Sequence, residues 1–332
     1  MMNKKIILSG FILGMSIMSL PLYSNAANEN PRSSVNVSVN VSNQNQGAES
    51  ENASESEDGW YYLAADDKYG KFFNPDSVKV VKKVTTSNGK EIPTEIEAWT
   101  KTTYSPEGAI LTINSYEIQS FFPDPEMLSY SLALLRINPQ NRTIQYATED
   151  FYDKNGKVVW SQSDGRIKEV NSQSFEEDFY AAIVDEIFRH GEVDRKLAPD
   201  RWIDLWTFTD ADGNTTTVTA DTTTMRLKGS NLILWEWQET KNAQGNVVEI
   251  RFMKKAVNLF QGTEKISSGD VWTPQSAGWN NLNDEHGGAY RMIRSDEPDY
   301  KGLVRLRAFA KGYSKWVNRY SIDLIEESEL QQ

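Results

Sequence analysis

Cysteine is absent from this chain of 332 residues, and histidine occurs only twice. Without a thiol, the protein cannot form disulfides, bind zinc through thiolates or use a cysteine nucleophile. Two histidines leave little material for a catalytic triad, and the sequence contains no phosphate-binding loop or dinucleotide fingerprint. The composition therefore predicts a protein that is not an enzyme and that uses neither a cofactor nor a metal.

Basic residues are also scarce, because 35 Lys and Arg stand against 47 Asp and Glu, which gives a net charge of −12. Binding to the phosphate backbone of a nucleic acid needs clustered positive charge. We therefore expect no nucleic acid partner. The acidic balance instead suits a protein that is exported and stays in solution.

Long apolar runs occur only near the N-terminus, in residues 1–26. The segment "MMNKK" is basic, about 15 apolar or small residues follow, and "SNA" places small residues before a cleavage point after Ala26. A helix that spans a membrane needs roughly 20 apolar residues. We therefore interpret residues 1–26 as a bacterial signal peptide. The mature chain is expected in the periplasm, at the cell surface or outside the cell, with no membrane span.

Residues 27–58 contain no aromatic residue, no Leu and no Ile, and they are rich in Asn, Ser, Glu and Gln. Such a segment cannot bury enough apolar surface to offset the entropy that it would lose on ordering. We predict a disordered polar linker here. The roughly 270 residues that follow are enough for two domains without disulfides.

A first domain is predicted over residues 59–190. Strand-like runs such as "WYYLAA", "EIEAWTKTTY", "YSLALLRIN" and "RTIQYATEDFYD" alternate with turn signals, among them Asn88-Gly89. The run "AILTINSYEI", which follows the turn signal "SPEG", is also predicted to be a strand. Successive strands with short connections predict an antiparallel sheet.

The hydrophobic period changes near the end of this domain. In "SFEEDFYAAIVDEIF", four apolar residues recur every four positions and predict an amphipathic helix: Phe175, Phe179, Ile183 and Ile187. Ser174 followed by Glu177 predicts a capping box at the start of the helix. Strands followed by a helix predict an α+β fold, in which the helix packs on one face of the sheet.

A second, related and mostly β domain is predicted over residues 202–328, after a linker at 191–201. "WIDLWTFT" corresponds to "WYYLAADD", "ADTTTMRL" to "PDSVKVV", and "NLILWEWQET" to "TEIEAWTKTTY". Four positions also match at a displacement of 158 residues: Arg136, Phe151, Lys157 and Val159 with Arg294, Phe309, Lys315 and Val317. We interpret this pattern as an internal duplication. The second copy has an insertion at 261–288 and no predicted helix, so the insertion or the first domain's helix is expected to cover its sheet.

Residues 60–188 resemble the surface-adhesin protein E family. The resemblance rests on Trp60, "NPDSVKV", "IEAWTK", "RTIQYATEDFYDKNGKVV" and "NSQSFEEDFYAAIV". It implies a small antiparallel sheet with a C-terminal helix on its concave face, and an adhesin-like role, since some members bind host matrix and plasma proteins. Members commonly fix the last helix with a Cys pair, which this chain lacks.

The remaining chemical signals are weak. "DADGN" at 210–214 has alternating oxygen ligands, but its Gly is misplaced for a calcium loop, and a hairpin turn is the better interpretation. "SNGK" at 87–90 is likewise predicted to be a turn. His190 follows the predicted helix, and no strained nucleophile elbow accompanies His286. Glu149 and Asp150 alternate along one strand, so they are poor partners in acid–base catalysis.

The ten Trp raise the alternative of carbohydrate binding, because aromatic faces stack on sugars. Four Trp at equivalent places in the two halves are predicted to lie in the core: Trp60, Trp99, Trp202 and Trp235. Trp272 and Trp279 lie in the insertion and are the weak candidates for ligand contact.

Three functions therefore remain open. We favour non-enzymatic, adhesin-like binding of a host or envelope protein. The second is a carbohydrate-binding or carbohydrate-active module that uses the 261–288 insertion to contact a glycan. The third is a purely structural component of the cell envelope.

Overall fold

The computed structural model describes residues 59–86, 89–163, 165–189, 200–282 and 288–319. In these ranges the chain forms two antiparallel sheets, of eight and seven strands, with few helices. The predicted antiparallel β architecture is therefore confirmed. The predicted signal peptide and polar linker lie outside the described residues. Among the residues described, no helix has the length and apolar composition for crossing a membrane.

The first sheet is formed by residues 61–169. Its strands are β1 (Tyr61–Ala65), β2 (Tyr69–Phe73), β3 (Lys79–Thr85), β4 (Glu91–Tyr104), β5 (Leu128–Asn138), β6 (Thr143–Asp153), β7 (Val158–Gln162) and β8 (Ile167–Glu169). They are ordered β1-β2-β4-β5-β6-β7, while β3 pairs with the other part of β4 and β8 with the start of β6. Helices α1 (Pro106–Ser115) and α2 (Glu177–Phe188) pack on the same face of this sheet.

Helix α2 confirms the predicted amphipathic helix. Phe179 and Ile183 are buried in the core, and Phe175 and Ile187 pack at its margin. The predicted capping box is wrong, because the helix begins at Glu177 and has no side-chain cap. The Glu177 carboxylate instead accepts hydrogen bonds from the Arg142 guanidinium and the Gln173 backbone N–H.

Helix α1 lies where the sequence predicts a strand, in "AILTINSYEI", so that prediction is wrong. The signal "SPEG" starts a helix: the Ser105 hydroxyl accepts a hydrogen bond from the Gly108 N–H, and Pro106 occupies the first turn. Gly108 lies against the backbone of Lys68, where a Cβ atom would come 2.2 Å from the carbonyl oxygen. Glycine here allows the helix to pack closely on the loop before β2.

The second sheet is formed by residues 202–292. Its strands are β9 (Trp202–Thr209), β10 (Thr215–Lys228), β11 (Asn231–Lys241), β12 (Val247–Asn258), β13 (Thr263–Trp272), β14 (Asn280–Asn281) and β15 (Arg291–Met292). They are ordered β9-β10-β11-β12-β13-β14, and β15 pairs with the start of β13. Residues 263–272 are therefore a strand of this sheet, although the sequence analysis places them in an insertion.

Helix α3 (Asp299–Gly312), followed by the short helix α4 (Ser314–Val317), covers the second sheet. Leu303, Leu306 and Phe309 of α3 join the buried core of that sheet. The prediction of no helix in the second half is therefore wrong. The alignment of the halves at a displacement of 158 residues is also wrong, because it matches Phe151 on strand β6 with Phe309 on helix α3. The charged residues interspersed in "DYKGLVRLRAFAKG" obscured the apolar face in the sequence.

A hydroxyl bridge recurs at matching places in the two sheets. The Ser77 hydroxyl donates to the Asn74 carbonyl oxygen and accepts a hydrogen bond from the Trp99 N–H at 2.9 Å. The Thr224 hydroxyl is bonded to the Asp221 carbonyl oxygen and the Trp235 N–H, the latter at 3.0 Å. The first bridge joins the 3-10 turn between β2 and β3 to a Trp of the neighbouring strand, and the second joins the bend within β10 to one. The bridges lie in the segments that are paired in sequence, "PDSVKVV" with "ADTTTMRL" and "TEIEAWTKTTY" with "NLILWEWQET".

The hairpins β5–β6 and β12–β13 also correspond. Asn138 pairs with Thr143 across the first turn, and Asn258 with Thr263 across the second. In both turns the asparagine side-chain oxygen accepts from the backbone of the turn, Asn138 from one N–H group and Asn258 from two. These two hairpins therefore give the residue-by-residue register between the sheets.

Candidate functional site

A cavity of about 360 Å³ lies between the two sheets, and we call it the inter-sheet cavity. The first sheet and its helices form one wall and the second sheet forms the other. The lining includes Tyr69, Tyr104, Tyr116, Tyr146, Glu149, Lys168, Glu169, Ser174, Phe175 and Glu176 from the first half, and Trp235, Ser268, Gly269, Asp270 and Asn281 from the second. Its volume falls in the lower part of the range for small-molecule sites.

Glu149 is the most buried carboxylate in the first wall, at 5% exposure. Its oxygens accept hydrogen bonds from three neutral donors: Tyr116 at 3.0 Å, Ser131 at 3.1 Å and Gln162 at 3.0 Å. Burial raises the pKa of Glu149, and these three hydrogen bonds and the charge of Lys168 act in the opposite direction. Asp150 lies on the opposite face of β6, where it accepts a hydrogen bond from Ser161, as the alternation predicts.

The four tyrosines give the first wall an aromatic and hydrogen-bonding surface. Burial raises the pKa of Tyr104, Tyr116 and Tyr146 well above the ordinary value. These side chains therefore remain neutral hydroxyl groups that can donate hydrogen bonds. Strand alternation places Tyr146 and Glu149 on the helix-covered face, because a bulge in β6 between them shifts the register by one residue.

The second wall comes from the face of the second sheet that is opposite to α3. Asp270 on β13 pairs with Phe252 and Asn281, and its Oδ1 atom is buried without a hydrogen-bond partner. Burial raises the pKa of Asp270. Gly269 is needed beside it, because a Cβ atom there would come 2.7 Å from the carbonyl oxygen of Phe252. The strands can therefore approach closely next to this carboxylate.

Charged residues at the margin of the cavity connect the two halves. Glu169 on β8 accepts a hydrogen bond of 2.5 Å from Lys254 on β12. Lys168 lies 3.8 Å from Glu176 and 5.0 Å from the ring centre of Tyr146. These two carboxylates thus form ion pairs, whereas no described cationic group forms one with Glu149 or Asp270.

A second set of contacts between the halves, the Arg201 cluster, consists of Ser172, Glu177, Arg201 and Asp221. Arg201 lies 2.8 Å from both carboxylates, and the Ser172 hydroxyl donates to Asp221 at 2.5 Å. Asp221 is fully buried. Arg201 is predicted to lie in a linker, but its side chain joins helix α2 to strand β10. Residues 191–199 of that predicted linker lie outside the described residues.

The predicted ligand contacts Trp272 and Trp279 do not line the inter-sheet cavity. Both are half-buried on the same side of the second sheet as Asp270. The ring of Trp279 contacts that of Trp237 with a centroid distance of 6.0 Å. Of the four Trp predicted to lie in the core, Trp235 is buried, whereas the other three are half-buried: Trp60, Trp99 and Trp202.

The other predicted chemistry can be located in part. Residues 210–214 form a hairpin turn, in which the Asp210 carboxylate accepts hydrogen bonds from the backbone of Asp212 and Asn214. Within the described ranges, no group of three or more His, Cys, Asp or Glu is arranged to hold a metal ion. His190 and His286 lie outside the described residues, as does the start of "SNGK".

Sequence reasoning missed the inter-sheet cavity. Alternation backward from Phe151 places Glu149 on the buried face, but alternation forward from Tyr146 does not, because the bulge of β6 lies between them. Asp270 gave no comparable signal, because its environment depends on how the second sheet meets the first. Neither a known family model nor a curated protein matches the chain.

Proposed function

We propose that this protein is an exported, non-enzymatic binding protein of the bacterial envelope, and that its ligand occupies the inter-sheet cavity. The observation that carries this proposal concerns two buried side-chain oxygens, Ser174 Oγ and Asp270 Oδ1. Both belong to residues that line the cavity from opposite walls, and neither has a hydrogen-bond partner among the described residues. Unpaired buried polar atoms cost free energy, and a polar molecule bound between the two walls is the partner that we propose for both residues.

The finer architecture belongs to the same proposal. In it, the first half is an adhesin-E-like domain and the second is a related copy. The two hydroxyl bridges and the two matching hairpins support this view. Binding of a protein partner, which the family resemblance implies, stays a prediction.

The test fills the cavity without disturbing the core. Ser268 is exposed and lines the cavity, so Ser268→Tyr places a ring in it. Ser267 is the exposed neighbour in a bulge of β13 and does not line the cavity, which makes Ser267→Tyr the matched control. Thermal unfolding would be followed with a panel of small amines, sugars and carboxylic acids. We expect one chemical class to raise the melting temperature of wild type and Ser267→Tyr but not of Ser268→Tyr.

The outcome of this screen decides the proposal. A class of compound that stabilises all three proteins equally binds somewhere other than the cavity. If no compound stabilises the wild type, the proposal of a small-molecule binding protein fails.

A second candidate ligand is a glycan on the outer part of the same sheet face. Trp237 and Trp279 form a half-buried aromatic pair, and Trp237 lies in register with Phe252 and Asp270. Aromatic rings beside a carboxylate suit a sugar. Glycan titrations followed by tryptophan fluorescence should lose their signal in Trp279→Ala. The control is Trp206→Phe, because Trp206 binds Asp299 at the opposite, helix-covered face.

A further inference from the structure

The inter-sheet cavity has an excess of negative charge. Its lining contains four carboxylates, Glu149, Glu169, Glu176 and Asp270, against one cationic side chain, Lys168. Glu169 and Glu176 lie close to lysines. Among the described residues, no cationic group forms an ion pair with Glu149 or Asp270. The two carboxylates without an ion-pair partner therefore come from opposite halves of the protein.

Aromatic rings form much of the remaining lining, from four Tyr together with Phe175 and Trp235. The face of an aromatic ring attracts a cation. The protein already uses this attraction at two of these rings. The Lys71 ammonium lies 4.5 Å from the ring centre of Phe175, and the Lys168 ammonium lies 5.0 Å from that of Tyr146. Aromatic faces and carboxylates without an ion-pair partner favour the same kind of ligand.

We infer that the inter-sheet cavity binds a small organic cation, an amine or a quaternary ammonium compound, held by Glu149, Asp270 and the aromatic lining. This inference rests on the proposed function and names its ligand class. A volume of about 360 Å³ fits a compound of this size and is small for a peptide or a lipid chain. Lys168 lies 3.8 Å from Glu176, and a cationic ligand would share the lining with this one lysine.

The test compares cations with neutral molecules of the same shape. Choline is paired with 3,3-dimethyl-1-butanol, and putrescine with 1,4-butanediol. Dissociation constants would be measured by calorimetry on the full chain. We expect at least one cation to bind, and its neutral counterpart to bind at least about tenfold more weakly. Ser268→Tyr should abolish binding, and Ser267→Tyr should retain it.

Asp270→Asn tests the carboxylate, because Oδ1 of Asp270 has no partner in the protein that the change would break. It should weaken cation binding about tenfold or more. The matched control is Asp150→Asn, which removes a carboxylate from the opposite face of β6 and should leave binding unchanged. Circular dichroism would verify that both variants fold.

The two proposals fail in different ways. If neutral compounds bind as well as the cations and Ser268→Tyr blocks them, the cavity is a binding site but the inferred ligand class is wrong. Unchanged cation binding in Asp270→Asn would also contradict the inference. If no probe binds, the cation inference is overturned, and the thermal screen with sugars and acids decides the proposed function separately.

Discussion

Leu135 and Lys255 occupy the same place in the two sheets, each three residues before the asparagine that starts its hairpin turn. Ile144 and Glu264 correspond in the same way, directly after the turn. In the first sheet the two positions hold Leu135 and Ile144, which are apolar and fully buried. In the second sheet they hold the opposite charges of Lys255 and Glu264, which are only 5% and 6% exposed. The same framework therefore covers an apolar core in one half and an ionic core in the other.

The ionic core is organised around Lys255. Its ammonium lies 2.7 Å from Glu236 and 3.3 Å from Glu264, and Glu264 also pairs with Arg291. Arg291 in turn pairs with Asp299 at the start of α3. A buried charge is tolerated when its partners are present and is costly when one is removed. At these corresponding positions, the second half therefore depends on matched charges and the first half on apolar packing.

The largest effect is expected from removing the central cation. Lys255→Met leaves Glu236 and Glu264 without it and should lower the free energy of unfolding by about 3–5 kcal/mol. Leu135→Met, at the corresponding place in the first sheet, conserves volume and should cost less than about 1.5 kcal/mol. Denaturant unfolding measures both. Equal costs would contradict the contrast between the two cores, and the double variant Lys255→Met/Glu236→Gln should recover part of the loss.

The pH dependence of stability should also differ between the corresponding positions Thr100 and Glu236. Burial raises the pKa of Glu236 from its ordinary value of 4.5 to about 7, although Lys255 acts against this change. Between these values the folded protein binds a proton that the unfolded chain releases, so stability falls as pH rises from about 4.5 to 7. The contribution is up to about 3 kcal/mol.

Unfolding of wild type and Glu236→Gln at several pH values measures this contribution. The variant should lose the decline between pH 4.5 and 7. Thr100→Val, at the corresponding place beside Trp99, should keep the wild-type pH dependence because threonine does not titrate in this range. Parallel curves for wild type and Glu236→Gln would show that Glu236 has no such role.

The next prediction compares a helix glycine in each half, Gly108 on α1 and Gly302 on α3. Gly108→Ala forces a Cβ atom against the Lys68 carbonyl oxygen and should cost about 2 kcal/mol. Gly302→Ala on α3 brings the Cβ atom to 3.1 Å from the Trp206 ring, which can shift, and should cost less than about 1 kcal/mol. Thermal unfolding of the two variants measures the difference. The reverse order would mean that α1 can move away from its loop.

The last prediction concerns the feature that the two halves share. Ser77→Ala and Thr224→Val each remove one hydroxyl bridge and should each cost about 1–2 kcal/mol, with Thr224→Val the more costly because it is more buried. Amide exchange of Trp99 and Trp235 should accelerate in the corresponding variant only. A bridge whose loss leaves its Trp amide protected is not a true counterpart of the other.

The sequence was informative where a pattern is local. Alternation along β4 and β6, the turn dipeptides and the spacing of Phe179 and Ile183 predicted the first sheet and helix α2. The strand predicted at α1 failed because a capping serine and a proline outweighed its β-type residues. Helix α3 was missed because its apolar positions are few and its remaining residues are charged. The cavity could not be predicted, since its walls are far apart in the chain and meet only when the sheets pack.

The side chain of Asp221 takes part both in the bend of β10 and in the Arg201 cluster. Its Oδ1 atom accepts hydrogen bonds from the backbone N–H and hydroxyl of Thr223, within the bend of β10, and its Oδ2 atom accepts those from Ser172 and Arg201. Under mechanical load, a force that separates the halves therefore acts directly on the bend of β10. We expect the Arg201 cluster and the edge of the second sheet to rupture together in a single-molecule pulling experiment. The force–extension curve would then show one rupture event for both instead of two.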